Sequence, residues 1–244
     1  MSTQKNAPRL LGAAFLVVVL TSLSGGVLLS SSVGSGGISD VLVNIANRGT
    51  LMRTSILADL LTSLGVIVLA VLLYIVLNNQ NRIVALVGFG CWLAEAMALA
   101  FSKIGALALI PLSAEFVRAG APANSYYQTL GEFLYNGVVQ QLGSTTHMFF
   151  YCSGGILWYY LLYKSNYVPR AISLFGLAAV VIALGGIVLE FLGYSVSIFV
   201  FLPLLPFELA IGFWLLVKGI NAGAEPDAVF PGTSTAMPVK PTVA

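Results

Sequence analysis

Charge is what this chain of 244 residues has least of: Lys and Arg number 11, Asp and Glu 9, together 8% of residues. Soluble domains carry about 25%. So few charges cannot dress a water-facing surface, which excludes an aqueous globular domain. Disorder is excluded by the opposite number, 58% hydrophobic residues. The net charge of +2 is too mild to suggest nucleic acid as a partner. There is a single histidine, His147, and no HxxxH or CxxC spacing, so haem and zinc have little support. A metal held by His147 with carboxylates stays open only as a minor alternative. Cys91 and Cys152 fall at comparable depth in apolar segments, where free thiols are the default and a disulfide the lesser alternative. Walker and Rossmann glycine patterns are missing, and nothing calls for a cofactor. The period-two alternation of a β-barrel is missing too, as is any alignable internal repeat of the kind that marks many transporters.

What is present is length of apolar run. Crossing a hydrocarbon layer of about 30 Å takes about 20 apolar residues in a helix. Six stretches qualify, approximately Leu10–Leu29, Leu51–Leu77, Ile83–Ile110, Thr146–Tyr163, Val168–Leu192 and Val196–Ile220. In lipid the backbone must bond to itself, so each reads as a helix. The fold expected is all-α, a six-transmembrane-helix bundle over residues 1–221, followed by a disordered cytoplasmic tail over 222–244 that contains Pro226, Pro231, Pro238 and Pro241. Lys5 and Arg9 ahead of the first run also suit a signal peptide, but the run is long and no clean Ala-x-Ala site follows, so a retained helix is favoured. With the amino terminus inside, Lys5, Arg9, Arg82, Lys164, Arg170, Lys218 and Lys240 are cytoplasmic. Arg48, Arg53 and Arg118 are outside, with Lys103 at the boundary. This bias predicts a protein of the inner (plasma) membrane with both termini cytoplasmic and membrane lipids as partners.

Two segments between spans carry helical periodicity. Ile38, Val41, Leu42, Ile45 and Leu51 mark one face, with Ser39 or Asp40 as N-cap, which predicts a short helix on the outer membrane surface. Pro111–Gly143 is long for a loop, and Tyr126, Leu130, Phe133, Leu134 and Val138 mark a second face. Together they predict interfacial helices forming an outer lid.

Ionisable groups at membrane depth are costly and so become functional candidates. Glu95 lies thirteen residues past Arg82 and Glu208 ten before Lys218, about 20 and about 15 Å in by helix rise. Asp59, Lys103, His147 and Glu190 come out about 25–32 Å from their inner anchors, at the outer boundary. The inner half holds no ionisable residue. Glu95 and Glu208 either bond neighbouring helices and tie the bundle together, or line a hydrated pocket open to the outer side. Pro203 and Pro206, expected to disrupt the helix and free carbonyls beside Glu208, favour the pocket. His147 reads as an interfacial group or as a proton or ligand contact at the pocket mouth. Asp59 shares a polar stripe with Ser55, Thr62 and Ser63. Lys103 and Arg53 read as snorkelling anchors, and Glu190 as an interface residue. Trp92, Trp158, Tyr159, Tyr160 and Trp214 read as belt or packing residues. Gly154–Gly155 and Gly185–Gly186 are expected to let the fourth and fifth spans approach closely.

Tyr151-Cys152-Ser153-Gly154-Gly155 invites comparison with rhomboid proteases, but the base fails. His147 sits six residues before Ser153, about 240° round the helix and about 9 Å along it. A retinal-binding lysine is equally unsupported, since none lies near the midplane. The stronger resemblance runs through Leu161-Leu162-Tyr163-Lys164-Ser165, Val168-Pro169-Arg170 and Ser173-Leu174-Phe175-Gly176, closing with Trp214-Leu215-Leu216-Val217-Lys218-Gly219. These stretches resemble a large bacterial family of six-helix membrane proteins catalogued only as a domain of unknown function. Physically they are anchors, a proline starting the fifth span and a glycine ending the sixth, so the resemblance implies topology and carries over no catalytic residue. The function expected is binding of a small or lipophilic molecule in an outward-facing cavity lined by Glu95, Glu208, Asp59 and His147. The alternatives are an intramembrane acid–base enzyme of isomerase or cyclase type, and a small proton-coupled transporter.

Overall fold

A computed structural model of the chain describes residues 7–221, so the tail expected from 222 onward, and Lys5, lie outside the described residues. Those residues are helical nearly throughout, with no strand among them. The order is α1 (Ala7–Val33), α2 (Ile38–Asn47), α3 (Gly49–Leu77), α4 (Arg82–Arg118), α5 (Tyr126–Glu132), a π-helical segment (Phe133–Thr146), α6 (His147–Ser165), α7 (Arg170–Phe191), a 3₁₀ turn (Ile198–Val200) and α8 (Leu204–Lys218).

Five segments are long and apolar enough to cross a membrane: α1, α3, α4, α7, and the run Ile198–Lys218 that ends in α8. Helix α6 has 19 residues, enough length for about 28 Å, but its composition is too polar to meet the same test. The reason is on its inner side, where Tyr151, Cys152, Trp158, Tyr159 and Ser165 are buried in the protein. Each long helix packs on the next, α3 on α4, α4 on α6, α6 on α7 and α7 on α8, while α1 lies against both α3 and α8. The six therefore close a ring in chain order. The outside of that ring is apolar, with residues such as Leu20, Leu64, Ile104 and Val217 60% or more exposed. Such a surface is solvated by hydrocarbon and not by water.

The end of α6, the start of α7 and the end of α8 are tied together beside the stretches that carry the family resemblance. Asn166 ends α6 in the left-handed region at φ +54°, and Gly219 ends α8 at φ +70°. Just beyond Gly219, Asn221 donates from its side chain to the Asn166 carbonyl at 2.7 Å and from its backbone to Tyr167 at 3.0 Å. Arg170 donates to the Asn166 side chain at 2.7 Å and sits over the Tyr163 ring.

Several sequence expectations need correction. Helix α4 does not stop before Pro111 but continues to Arg118. A proline forfeits one backbone bond, and here the buried Leu109 and Phe116 are held in a cluster with Val41, Leu42 and Ile45 of α2. At 37 residues α4 is about 55 Å long, well beyond the hydrocarbon thickness of about 30 Å. Helix α2 starts from Gly37, whose N–H donates to Asp40 at 3.2 Å, so Asp40 acts at the third helical position and not as the cap. In the following segment Tyr126 and Phe133 are exposed, and the residues packed inward are Tyr127, Leu134, Tyr135 and Val139. The wider turn of the π-helix moves that face away from α-helical spacing, as the Thr146 hydroxyl bond to the Gln141 carbonyl five residues back reflects. Gly154 meets α4 at Trp92, Gly155 meets α7 at Val180, and Gly186 meets Val196 and Val200, so these glycines serve three contacts and not one.

Candidate functional site

Inside the ring is a cavity of about 320 Å³. All four residues singled out in the sequence, Glu95, Glu208, Asp59 and His147, line it, and they arrive from four different helices. Helix α4 contributes Trp92, Glu95, Leu99 and Lys103, a single stripe at spacings of three and four. Helix α3 brings Asp59, Thr62, Val66 and Leu69 by the same logic. Helix α6 offers His147 and Tyr151 one turn apart, and α8 offers Leu204 and Glu208. The π-helical segment closes one side with Val139, Gln140, Gly143 and Ser144.

The lining has two polar ends. At the end nearer the π-helical segment, the Lys103 ammonium lies 2.6 Å from an Asp59 carboxylate oxygen, with both side chains largely buried. Gly25 faces the other Asp59 oxygen, and Gly143 lies against Ser102 and Lys103, so backbone approaches the pair where a side chain would obstruct it. Lys103 is therefore not a snorkelling anchor. Fourteen residues of α4 lie between it and Arg118, so the helix continues well past the point at which it was expected to end. His147 lies at this end, and its Nδ1 is buried with no hydrogen-bond partner among the described residues.

One to two turns deeper, the Tyr151 hydroxyl donates to Glu208 Oε1 at 2.6 Å and sits 3.3 Å from the Tyr159 hydroxyl. The Tyr151 ring stacks nearly parallel to Trp92, centroids 5.9 Å apart, and the Trp92 indole donates to the Tyr151 carbonyl at 3.1 Å. This needs Gly154, because a Cβ there would lie 2.8 Å from the indole nitrogen. Glu95 is 5% exposed, and its Oε2 has no hydrogen-bond partner among the described residues. A buried acceptor left in that state costs about 1–3 kcal/mol, so it marks a position where a donor would be gained.

Below this level the lining stops. Its deepest members, Val18, Leu69 and Trp92, lie nine, eight and ten residues from Arg9, Leu77 and Arg82, about 12–15 Å by helix rise. Beneath them Leu11, Leu73, Leu77, Ala85, Trp158 and Leu215 form a closed apolar core. Pro203 and Pro206 do not break a helix beside Glu208. Pro203 caps α8 and Pro206 lies in its first turn, where a missing N–H costs little, and Glu208 follows in the next turn. Of the polar stripe on α3, Asp59 and Thr62 reach the lining, whereas Ser55 and Ser63 bond back to carbonyls of their own helix. Glu190 accepts from Thr145 at 3.3 Å, away from the cavity.

Sequence reasoning missed Lys103, Tyr151 and Trp92. The stripe Trp92–Glu95–Leu99–Lys103 was available as a periodic signal. The Tyr151–Glu208 pairing was not, because nothing in a hydropathy profile says which helices are neighbours.

Helices packed in a ring around a buried cavity of charged groups, with an apolar exterior, point to a helical membrane protein. The chain belongs to the family described as a domain of unknown function (DUF4386), whose model matches residues 10–219. No curated protein and no solved structure matches it.

Proposed function

We propose that this is a six-span membrane protein that binds a small, partly apolar molecule in the cavity, entering from the outer side. The observation that carries the reading is the convergence of Glu95, Glu208, Asp59 and His147, from four helices, on one void of about 320 Å³. Ligand pockets run from about 300 Å³ upward, mostly apolar with a few placed polar groups. A cavity of about 150 Å³ holds a benzene, so this one suits a molecule about twice that size. Helix α6 completes the six spans, since its polar residues turn inward and leave lipid-compatible groups outside. Six spans and the Lys/Arg bias support a reading in which both termini are on the cytoplasmic side of the inner membrane. Helices α2 and α5 and the π-helical segment then form an outer lid, joined where Gln128 donates to Ser39. The apolar floor beneath the cavity supports binding over passage, because a transporter needs a polar route through it.

Gentle purification followed by mass spectrometry tests this reading. A small molecule should co-purify at one per chain and be lost from Leu99→Trp, which fills the cavity. Equal retention by the filled variant would place the molecule elsewhere and refute it.

A second reading rests on a separate observation, the hydrogen-bonded Tyr151–Glu208 pair beside the unpartnered Glu95. Two carboxyls in unlike surroundings suit an acid–base enzyme acting on a lipophilic substrate. Incubation with a lipid extract should then yield a new species that Glu208→Gln does not produce.

A further inference from the structure

We infer that the molecule bound in the cavity is an amine, held by its ammonium group at Glu95 and Glu208 with the apolar part directed toward Lys103. The inference rests on the binding reading above and adds the chemical class. Three carboxyls and one lysine line the void, and the lysine is already engaged by Asp59 at 2.6 Å. Two carboxyls are left at the deep end. Glu208 has a neutral donor in Tyr151, while Glu95 Oε2 has none and is buried. Among the described residues lining the deep end no side chain is cationic, so nothing there repels or replaces a positive ligand.

An ammonium group has three donors and no acceptor, which matches a wall of acceptors. It can meet Glu95 and reach the free oxygen of Glu208, forming charge-assisted bonds that are stronger than neutral ones. The stacked rings of Trp92 and Tyr151 belong to the same wall. A carboxylate ligand would bring more acceptor oxygens to this end and no donor, and an alcohol would leave part of the acceptor set unanswered. Between the two polar ends Val66 and Leu99 present apolar surface to the remainder of the molecule.

Benzylamine, benzyl alcohol and benzoate form a size-matched probe set. Calorimetric titration of the full chain in nanodiscs, with empty nanodiscs subtracted, should show benzylamine binding at least tenfold more tightly than benzyl alcohol, and no binding of benzoate. Glu95→Gln should reduce the amine's advantage over the alcohol at least fivefold. Glu208→Gln, whose amide oxygen still accepts from Tyr151, should do the same and serves if Glu95→Gln does not fold. Equal binding of amine and alcohol, or an amine preference untouched by both variants, would overturn the inference. The cavity reading would then stand, provided that Leu99→Trp abolishes the alcohol's binding. Failure of all three probes to bind the wild-type chain would overturn both.

Discussion

Removing one member of the Asp59–Lys103 pair should destabilise the bundle more than removing both. The ammonium and carboxylate are 2.6 Å apart, with side chains 5% and 12% exposed for Lys103 and Asp59. At an effective dielectric constant of about 20, that separation corresponds to an attraction of about 6 kcal/mol, most of which offsets the desolvation of the two charges. Lys103→Met leaves a carboxylate without its cation in the same surroundings, and Asp59→Asn does the converse. Each should cost about 3–5 kcal/mol, the range for breaking a buried pair from one side. The double variant should cost less than either single, giving a coupling of at least about 3 kcal/mol in the double-mutant cycle. Reversible unfolding in mixed micelles, titrated with a denaturing detergent and followed by circular dichroism, reads all four corners. Single losses below about 1 kcal/mol that simply add would mean a hydrated surface pair, as found for exposed ion pairs, and would refute the reasoning.

Tyr151→Phe should cost about 1–3 kcal/mol in the same titration, because it strips Glu208 of its donor, while Tyr159→Phe should cost less. Equal losses would contradict the difference between the 2.6 and 3.3 Å separations. Gly12→Ala puts a methyl group 2.7 Å from the Gly212 carbonyl oxygen and 2.8 Å from the Leu215 carbonyl carbon, so it should cost about 1–3 kcal/mol. Gly90→Ala meets nothing within 4 Å and should stay within about 0.5 kcal/mol, and a reversed ranking would argue against the α1–α8 contact. In a Cys91→Ser/Cys152→Ala background, an impermeant maleimide added to intact spheroplasts should label Ala119→Cys but not Asn79→Cys or Lys164→Cys. Labelling of Lys164→Cys together with Ala119→Cys would mean that α6 does not cross.

The apolar runs located the long helices, because hydrocarbon imposes one conformation on any segment that enters it. Helix α4 nevertheless continues eight residues past its expected end at Ile110, and α8 begins eight residues into the expected run from Val196. Pro111 misled where composition alone was weighed: a proline ends an isolated helix, but α4 is held past it by Phe116 and the residues of α2. Glu95 and Glu208 stood out because a carboxyl in an apolar run is rare and expensive. Lys103 was harder, since depth counted from Arg82 assumes that the far end of the helix meets water. Its pairing with Asp59 joins residues 44 positions apart, and no local pattern encodes that distance. Tyr151 was hidden by its own ordinariness, as an aromatic ring in a membrane helix is usually packing.

The closed ring has a consequence for biogenesis. Helices emerge and dock in order, each against its predecessor, but α8 must lie between α7 and α1 before the enclosure is complete. Glu208 and Leu204 are on that final helix, so a nascent or truncated chain exposes Glu95 and Trp92 along an open seam. The cavity is enclosed only once α8 has docked, so a partly made copy has an open cleft in its place.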